Sequence, residues 1–243
     1  MQYLWICHWL VAAISLIASD FSYAAEEDVF VFGGSGRLGS EIVKELIEAE
    51  MSPTVFVRPT SDRSRLDGVD VSYAVGDILN KDEVAAALQA TQFDAVINAI
   101  ALRSGEPMPY EAGQGNINKW SKETGVKHVI FLSSVGAGDN ASIVPENMKK
   151  FQEPFRDQLI DKGVAEVELR ESGLTYTIIR TGAVIPVGAK PTGQGQLVED
   201  QTVIGPITRP DLGALVVGCV LNPKCENKIY HAIDESLAGA MAR

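Results

Sequence analysis

The apolar and polar positions of this chain alternate between short β-rich runs and stretches of helical period. Asp28-Val-Phe-Val-Phe32 is a compact apolar run that stops at glycine, as a strand buried on both faces does. Leu38, Ile42, Val43, Leu46 and Ile47 then recur at helical spacing, with Glu41, Lys44, Glu45 and Glu48 between them. Ser52-Pro53 ends that helix, and residues 54–57 begin a second strand. Residues 69–75 read as a third strand, and Asp82 is placed to cap the next helix, with Val84, Ala85 and Leu88 facing inward. Residues 95–98 form a fourth strand, 116–124 a helix that stops at Gly125, and 129–132 a fifth strand. Residues 145–171 read as helical, broken in two by Pro154 and Gly163. A sixth strand (175–179), a last helix (211–221) and a closing strand (228–233) follow.

This repeated β-α order predicts an α/β fold: a Rossmann-like doubly wound parallel sheet, covered on both faces by helices and joined by right-handed crossovers. No Pro/Gly/Ser linker divides the sequence and no segment repeats, so residues 26–243 are expected to form a single domain. Residues 1–25 read differently. Positions 4–18 are apolar apart from His8 and Ser15, too short a run for the roughly 20 residues of a membrane span. They match the apolar core of a secretory signal, with a small-x-small cleavage site at Ser22-Tyr23-Ala24, although Met1-Gln2-Tyr3 lacks the usual basic residue. A targeting or anchoring segment is expected, directing the protein to the secretory route or an organelle, or tethering it to a membrane.

Charge and cysteine content narrow the function. A net charge of −11 excludes the basic face that a nucleic-acid binder needs, so an anionic ligand must be held by local arginines, lysines and backbone N–H groups. The cysteines match no zinc spacing, His128 and His231 form no cluster with them, and no metal is expected. Cys219 and Cys225 would pair in an oxidising lumen, but free thiols are expected, the first buried and the second exposed.

The candidate chemistry starts where the first strand meets its helix, at Gly33-Gly34-Ser35-Gly36-Arg37-Leu38-Gly39. Glycines there permit a tight turn and close approach of the backbone to a pyrophosphate, which the helix N-terminus attracts with free N–H groups and its positive dipole end. About 20 residues further on, where a site for NAD(H) places an acid to accept the ribose 2′-hydroxyl, the second strand ends at Arg58. A guanidinium can bind a 2′-phosphate bidentately, so NADP(H) is expected over NAD(H), with Arg37 and Arg63 within reach. Asp77 and Ile78 follow the third strand, where the Asp can reach an adenine amino group or act as a helix cap. Asn98 and Ala99 follow the fourth, beside the nicotinamide path, with Asn98 alternatively a strand-end hydrogen bonder.

Together these motifs resemble the NAD(P)-binding, NmrA-like branch of the atypical short-chain dehydrogenase/reductase family. Further marks are Val57-Arg58, Gly76-Asp77, Val129-Ile-Phe-Leu-Ser-Ser-Val-Gly-Ala-Gly-Asp139, Glu171-Ser-Gly-Leu-Thr-Tyr-Thr-Ile-Ile-Arg180 and Ile207-Thr-Arg-Pro-Asp-Leu212. The resemblance implies that Ser134 stands at the active-site serine and that Ser133 lines the cofactor. It also implies that Lys162, at the family's distance from Ser172-Gly173, holds the nicotinamide ribose. The family's catalytic tyrosine falls at Gln158, whose amide cannot donate the proton for carbonyl reduction. Thr181 replaces the proline expected after Arg180. Tyr110, read as part of a loop over the site, and Tyr176 remain as acids.

Two functions follow from the resemblance. One is reduction of a small conjugated or carbonyl acceptor; the other is a non-catalytic NADP(H)-binding regulator or assembly factor that docks on a protein partner. A sugar-nucleotide epimerase fits less well, since the portion after Ile179 is small for a nucleotide-sugar lobe.

Overall fold

The computed structural model describes residues 26–103 and 105–241; the expected targeting segment lies outside the described residues. In chain order the elements are β1 (Asp28–Phe32), α1 (Gly39–Glu48), β2 (Ser52–Val57), β3 (Ser72–Val75), α2 (Lys81–Leu88), β4 (Ala95–Asn98), α3 (Tyr110–Thr124) and β5 (His128–Ser134). They continue with α4 (Glu146–Gln152), α5 (Arg156–Glu171), β6 (Tyr176–Thr181), β7 (Ala183–Val184), β8 (Gln196–Val198), β9 (Pro206–Ile207), α6 (Arg209–Val217) and β10 (Lys228–Ile233). The eight-stranded sheet runs β3-β2-β1-β4-β5-β6-β10-β8 and is parallel except for the β10–β8 pair; β7 and β9 form a separate two-stranded ribbon. Strand order reverses between β1 and β4, which opens a crevice at their carboxyl ends. This is the Rossmann-like α/β fold in one domain.

The alternation of β1 builds both layers. Val29 and Val31 face α1 and α6, packing with Ile42, Val43, Leu46 and Leu212. Phe30 and Phe32 face the other layer, with Phe56, Phe93, Val84, Leu88 and Ile117. Their rings meet at 4.8–4.9 Å, as Phe30–Phe93 and Phe32–Phe56.

Several expectations are corrected. The α2 cap is Asn80, whose Oδ1 accepts from the amides of Asp82 and Glu83, so Asp82 lies inside the first turn. α3 starts at Tyr110 rather than 116, because Gly113 serves close packing: a Cβ there would lie 2.9 Å from the Ile78 side chain. Pro154 does separate two helices, but Gly163 does not break α5; its missing Cβ admits the backbone of Gly138. β3 pairs only from Ser72, β6 runs on to Thr181, and α6 begins at Arg209 behind the Thr208 cap and ends at Val217. Beyond α6, Cys219 and Cys225 are bonded rather than free, and both are buried. The turns between them bring their Cα atoms to 5.5 Å, within disulfide reach.

That bridged loop is fastened to the sheet by His128, a fully buried side chain. Its Nδ1 accepts from the Leu221 amide, and its Nε2 meets the Thr177 hydroxyl, which donates to the Cys225 carbonyl. Burial pushes the imidazole pKa down to about 4. The unfolded chain therefore binds a proton from about pH 6.5 that the folded one refuses until about pH 4. Stability contributed by the neutral ring is present above pH 6.5 and is lost as pH falls through this window, by about 3 kcal/mol. His231, also lowered by burial, acts in the same direction. Urea unfolding of His128→Gln between pH 4 and 7 should show a shallower pH slope than the parent; equal slopes would refute the assignment.

Candidate active site

The crevice at the β1/β4 switch is a cleft of about 760 Å³, within the range of a cofactor site. Gly33 enters it at φ +78°, with no room for a side chain: a Cβ would lie 2.7 Å from the Ala99 carbonyl oxygen. The Gly36 amide closes the turn on the Gly33 carbonyl at 2.9 Å. Among the described residues, the amides of Ser35, Arg37 and Leu38 have no intramolecular acceptor, and no side chain caps α1. These N–H groups border the cleft at a helix N-terminus, the arrangement that binds a pyrophosphate. Gly39 lies beneath the turn, outside the cleft wall, where its missing Cβ lets α1 meet the Gly33 carbonyl.

The cleft is cationic in an acidic protein. Arg37, Arg58, Arg65, Arg103, Arg209 and Lys162 line it against Asp62, Asp77 and Glu106. Arg58 lines the cleft, its guanidinium 2.8 Å from the Glu106 carboxylate. Arg63 is turned away, stacked 4.7 Å over the Tyr73 ring, because a 3₁₀ turn at Ser64–Leu66 brings Arg65 to the wall instead.

At the other end, Ser133 lines the cleft with its hydroxyl buried and unpartnered, an atom a ligand group would satisfy. Next to it Lys162 donates to the Ser134 hydroxyl at 2.9 Å and lies 4.8 Å over the Tyr110 ring. Burial pushes the Lys162 pKa down to about 8. The free amides, the unpartnered Ser133 hydroxyl and the cationic wall all suit a nicotinamide dinucleotide.

Residues 33–223 match the NAD(P)H-binding family along most of the chain. The chain belongs to that family. It is similar to the NAD(P)H azoreductase of Xenophilus azovorans, 23% identical over 219 residues, which is 87% of this chain and 70% of that protein. Its fold is similar to that of ChuY, an anaerobillin reductase of Escherichia coli O157:H7, with a TM-score of 0.75 at 22% identity, covering 86% of this chain and 98% of that one. A short-chain dehydrogenase/reductase of Veillonella parvula DSM 2008, solved in complex with NADP, has a TM-score of 0.71 at 16% identity, covering 87% and 96%.

Against this NAD(P)H-binding frame, the expected residues separate. Gly33, Ser35, Gly36, Arg37, Leu38, Arg58, Asp77, Ile78, Ala99, Ser133 and Lys162 line the cleft. Asp77 is not a helix cap: its Oδ1 accepts from the Leu79 amide in a tight turn. Asn98 is outside the wall and fully buried. It donates to Gln114, which donates to Asn118, and it accepts from the Ile100 amide, so both its polar atoms are engaged inside the core. Ser134 stands behind Lys162.

Tyr110, expected in an overhanging loop, begins α3 and is buried; its hydroxyl accepts from the Leu102 amide, and burial pushes its pKa up. Tyr176 packs against the core, and neither it nor Gln158 borders the cleft. Sequence reasoning missed Arg65, Arg103 and Val184. Arg209 was visible only as part of the Ile207–Leu212 motif, and Thr181 only as the replacement for the proline expected after Arg180.

Proposed function

We propose that this protein is an NADPH-dependent reductase of a small conjugated or carbonyl acceptor. The reading rests on one juxtaposition: Arg58 and Lys162, the latter held by Ser134 behind it, line one continuous cleft with the glycine turn. The amides of Ser35, Arg37 and Leu38 bind the pyrophosphate, and Arg58 exchanges Glu106 for the 2′-phosphate. Ser133 gives its unpartnered hydroxyl to the nicotinamide end. Bound NADPH supplies the hydride. Leu132, Ile100, Leu102 and Val184 keep that end apolar, which suits a flat acceptor and excludes water. The similarity to an NAD(P)H azoreductase points to the same class of acceptor.

Gln158 favours a second reading, a non-catalytic NADP(H)-binding regulator or assembly factor docked on a protein partner, because it removes the family's proton donor. One experiment separates the two. The protein with residues 1–25 removed is titrated with NADPH and NADH, and NADPH oxidation is followed with quinone, flavin, azo and carbonyl acceptors. The reductase reading predicts NADPH-dependent turnover with at least one of them, and Arg58→Ala weakening NADPH about tenfold while leaving NADH unchanged. NADPH binding without turnover across the panel would leave the regulator; no binding of either nucleotide would remove both.

A further inference from the structure

With Gln158 in the tyrosine's place, the reductase reading above leaves the proton unassigned. We propose that Lys162 is the general acid of this site, its ammonium held by Ser134 and aimed at the acceptor beside the nicotinamide position. The other candidates are excluded by position. Tyr110 is buried and does not border the cleft; its hydroxyl accepts from the Leu102 amide, and burial pushes its pKa up, away from an acid that works at neutral pH. His128 sits at the opposite end of β5, bound to Thr177 and Leu221, and His231 on β10 holds the Val203 carbonyl. Ser133 is at the wall, but an isolated hydroxyl is too weak an acid to complete the step unaided.

Among the described residues, Lys162 alone combines an acidic proton, a place in the wall and a fixed direction. Ser134 on β5 accepts one N–H at 2.9 Å, and the Tyr110 ring on α3 lies against the ammonium. The charged groups around it are otherwise engaged. Glu166, one turn along α5, is bound by Arg180 of β6, and Asp161 accepts the Tyr110 and Glu111 amides at the start of α3. The ammonium is therefore desolvated without a committed counterion, and its pKa of about 8 puts it near the ideal for acid catalysis at neutral pH.

The balance is simple. The acceptor takes two electrons and one hydrogen as hydride, and Lys162 gives the proton to the atom that gains negative charge. Lys162 is left as a neutral amine and recovers a proton from water through Ser134 as the product leaves. Activity requires the ammonium, so kcat/KM falls as pH rises through about 8.

The test compares the parent, Lys162→Met, Lys162→Arg and Lys162→Ala, and it rests on the reductase reading only for its kinetic arm. Nuclear magnetic resonance of ¹³Cε-lysine-labelled protein, with no nucleotide, should show one lysine titrating near pH 8 that is missing in Lys162→Met. A parent without such a resonance overturns the proposal whatever the enzyme does. With a carbonyl acceptor, Lys162→Met should lose about 100-fold or more in kcat and lose the alkaline limb of the pH profile. Lys162→Arg, permanently charged, should be as slow and as flat. Primary ammonium ions should restore Lys162→Ala in proportion to their protonated fraction. A lysine that only positions the ribose gives the opposite pattern: weaker NADPH binding, a retained alkaline limb and no rescue by amines. That result overturns the acid role while leaving a reductase in place. A parent that turns over no acceptor overturns both.

Discussion

Gly39→Ala is expected to weaken NADPH binding by at least about 100-fold and to lower stability by about 1–3 kcal/mol. A Cβ at this position would lie 2.1 Å from the Gly33 carbonyl oxygen, and 2.7 Å from the Gly33 carbonyl carbon and the Gly34 Cα. All three are main-chain atoms of the turn, so no rotamer change relieves the overlap. The first turn of α1 must move off the end of β1 by more than about 1 Å to restore van der Waals distance. That movement carries the Arg37 and Leu38 amides with it, and N–H···O bonds work only between about 2.7 and 3.2 Å. Gly36→Ala is the informative partner. Its Cβ would approach the same carbonyl only to 3.0 Å, and Gly36 faces the cleft, so it should spare stability while reducing affinity. Calorimetric titration and urea unfolding of the two variants separate the helix–turn contact from the ligand contact. Unchanged affinity in Gly39→Ala would mean that the turn does not hold the nucleotide.

How far such a site is legible in sequence depends on whether a residue acts through its neighbours along the chain or across the fold. The Gly33–Gly39 turn is local: its glycines, the strand before and the helix after are contiguous, and the physics that requires them acts within one turn. Arg58 is nearly as local, since the length of α1 and β2 determines where the second strand ends. Asn98 is the opposite case. Its position at the end of β4 is visible, but its buried partner Gln114, itself held by Asn118, comes from α3, whose first turns were hidden behind Gly113 and Gly115.

Arg63 and Arg65 show how little it takes to invert a reading, because one 3₁₀ turn exchanges which of them reaches the cleft. The antiparallel β8 is three residues long and has no periodicity to detect; it exists because β10 offers His231–Ile233 an open edge. Cys219 and Cys225 fall in the same class. Their pairing depends on the turns after α6, including Leu221 at φ +50°, and on the hold of His128 on that loop.

Arg180→Met should cost about 3–5 kcal/mol and lower the unfolding midpoint by roughly 10 °C. Arg180 is a fully buried side chain, and it is bound on every side. Nε and one terminal nitrogen take both Glu166 oxygens at 3.0 and 2.5 Å, the same terminal nitrogen reaches Asp139 at 2.6 Å, and the other reaches Gln201 at 2.9 Å. Removing the guanidinium leaves Glu166, only 2% exposed, as an unpaired buried carboxylate, which is the costly half of the change. The double variant Arg180→Met with Glu166→Leu removes both charges and should recover most of the loss. A double variant as unstable as the single one would assign the effect to packing instead. The damage should also reach the site, since Glu166 lies one turn from Lys162 on α5 and the ion pair ties that helix to β6. In Arg180→Met the unpaired Glu166 becomes available to the Lys162 ammonium. The lysine pKa should then rise from about 8, and the alkaline limb of the rate should move to higher pH. An alkaline limb that stays in place would show that Glu166 and Lys162 are not in electrostatic contact.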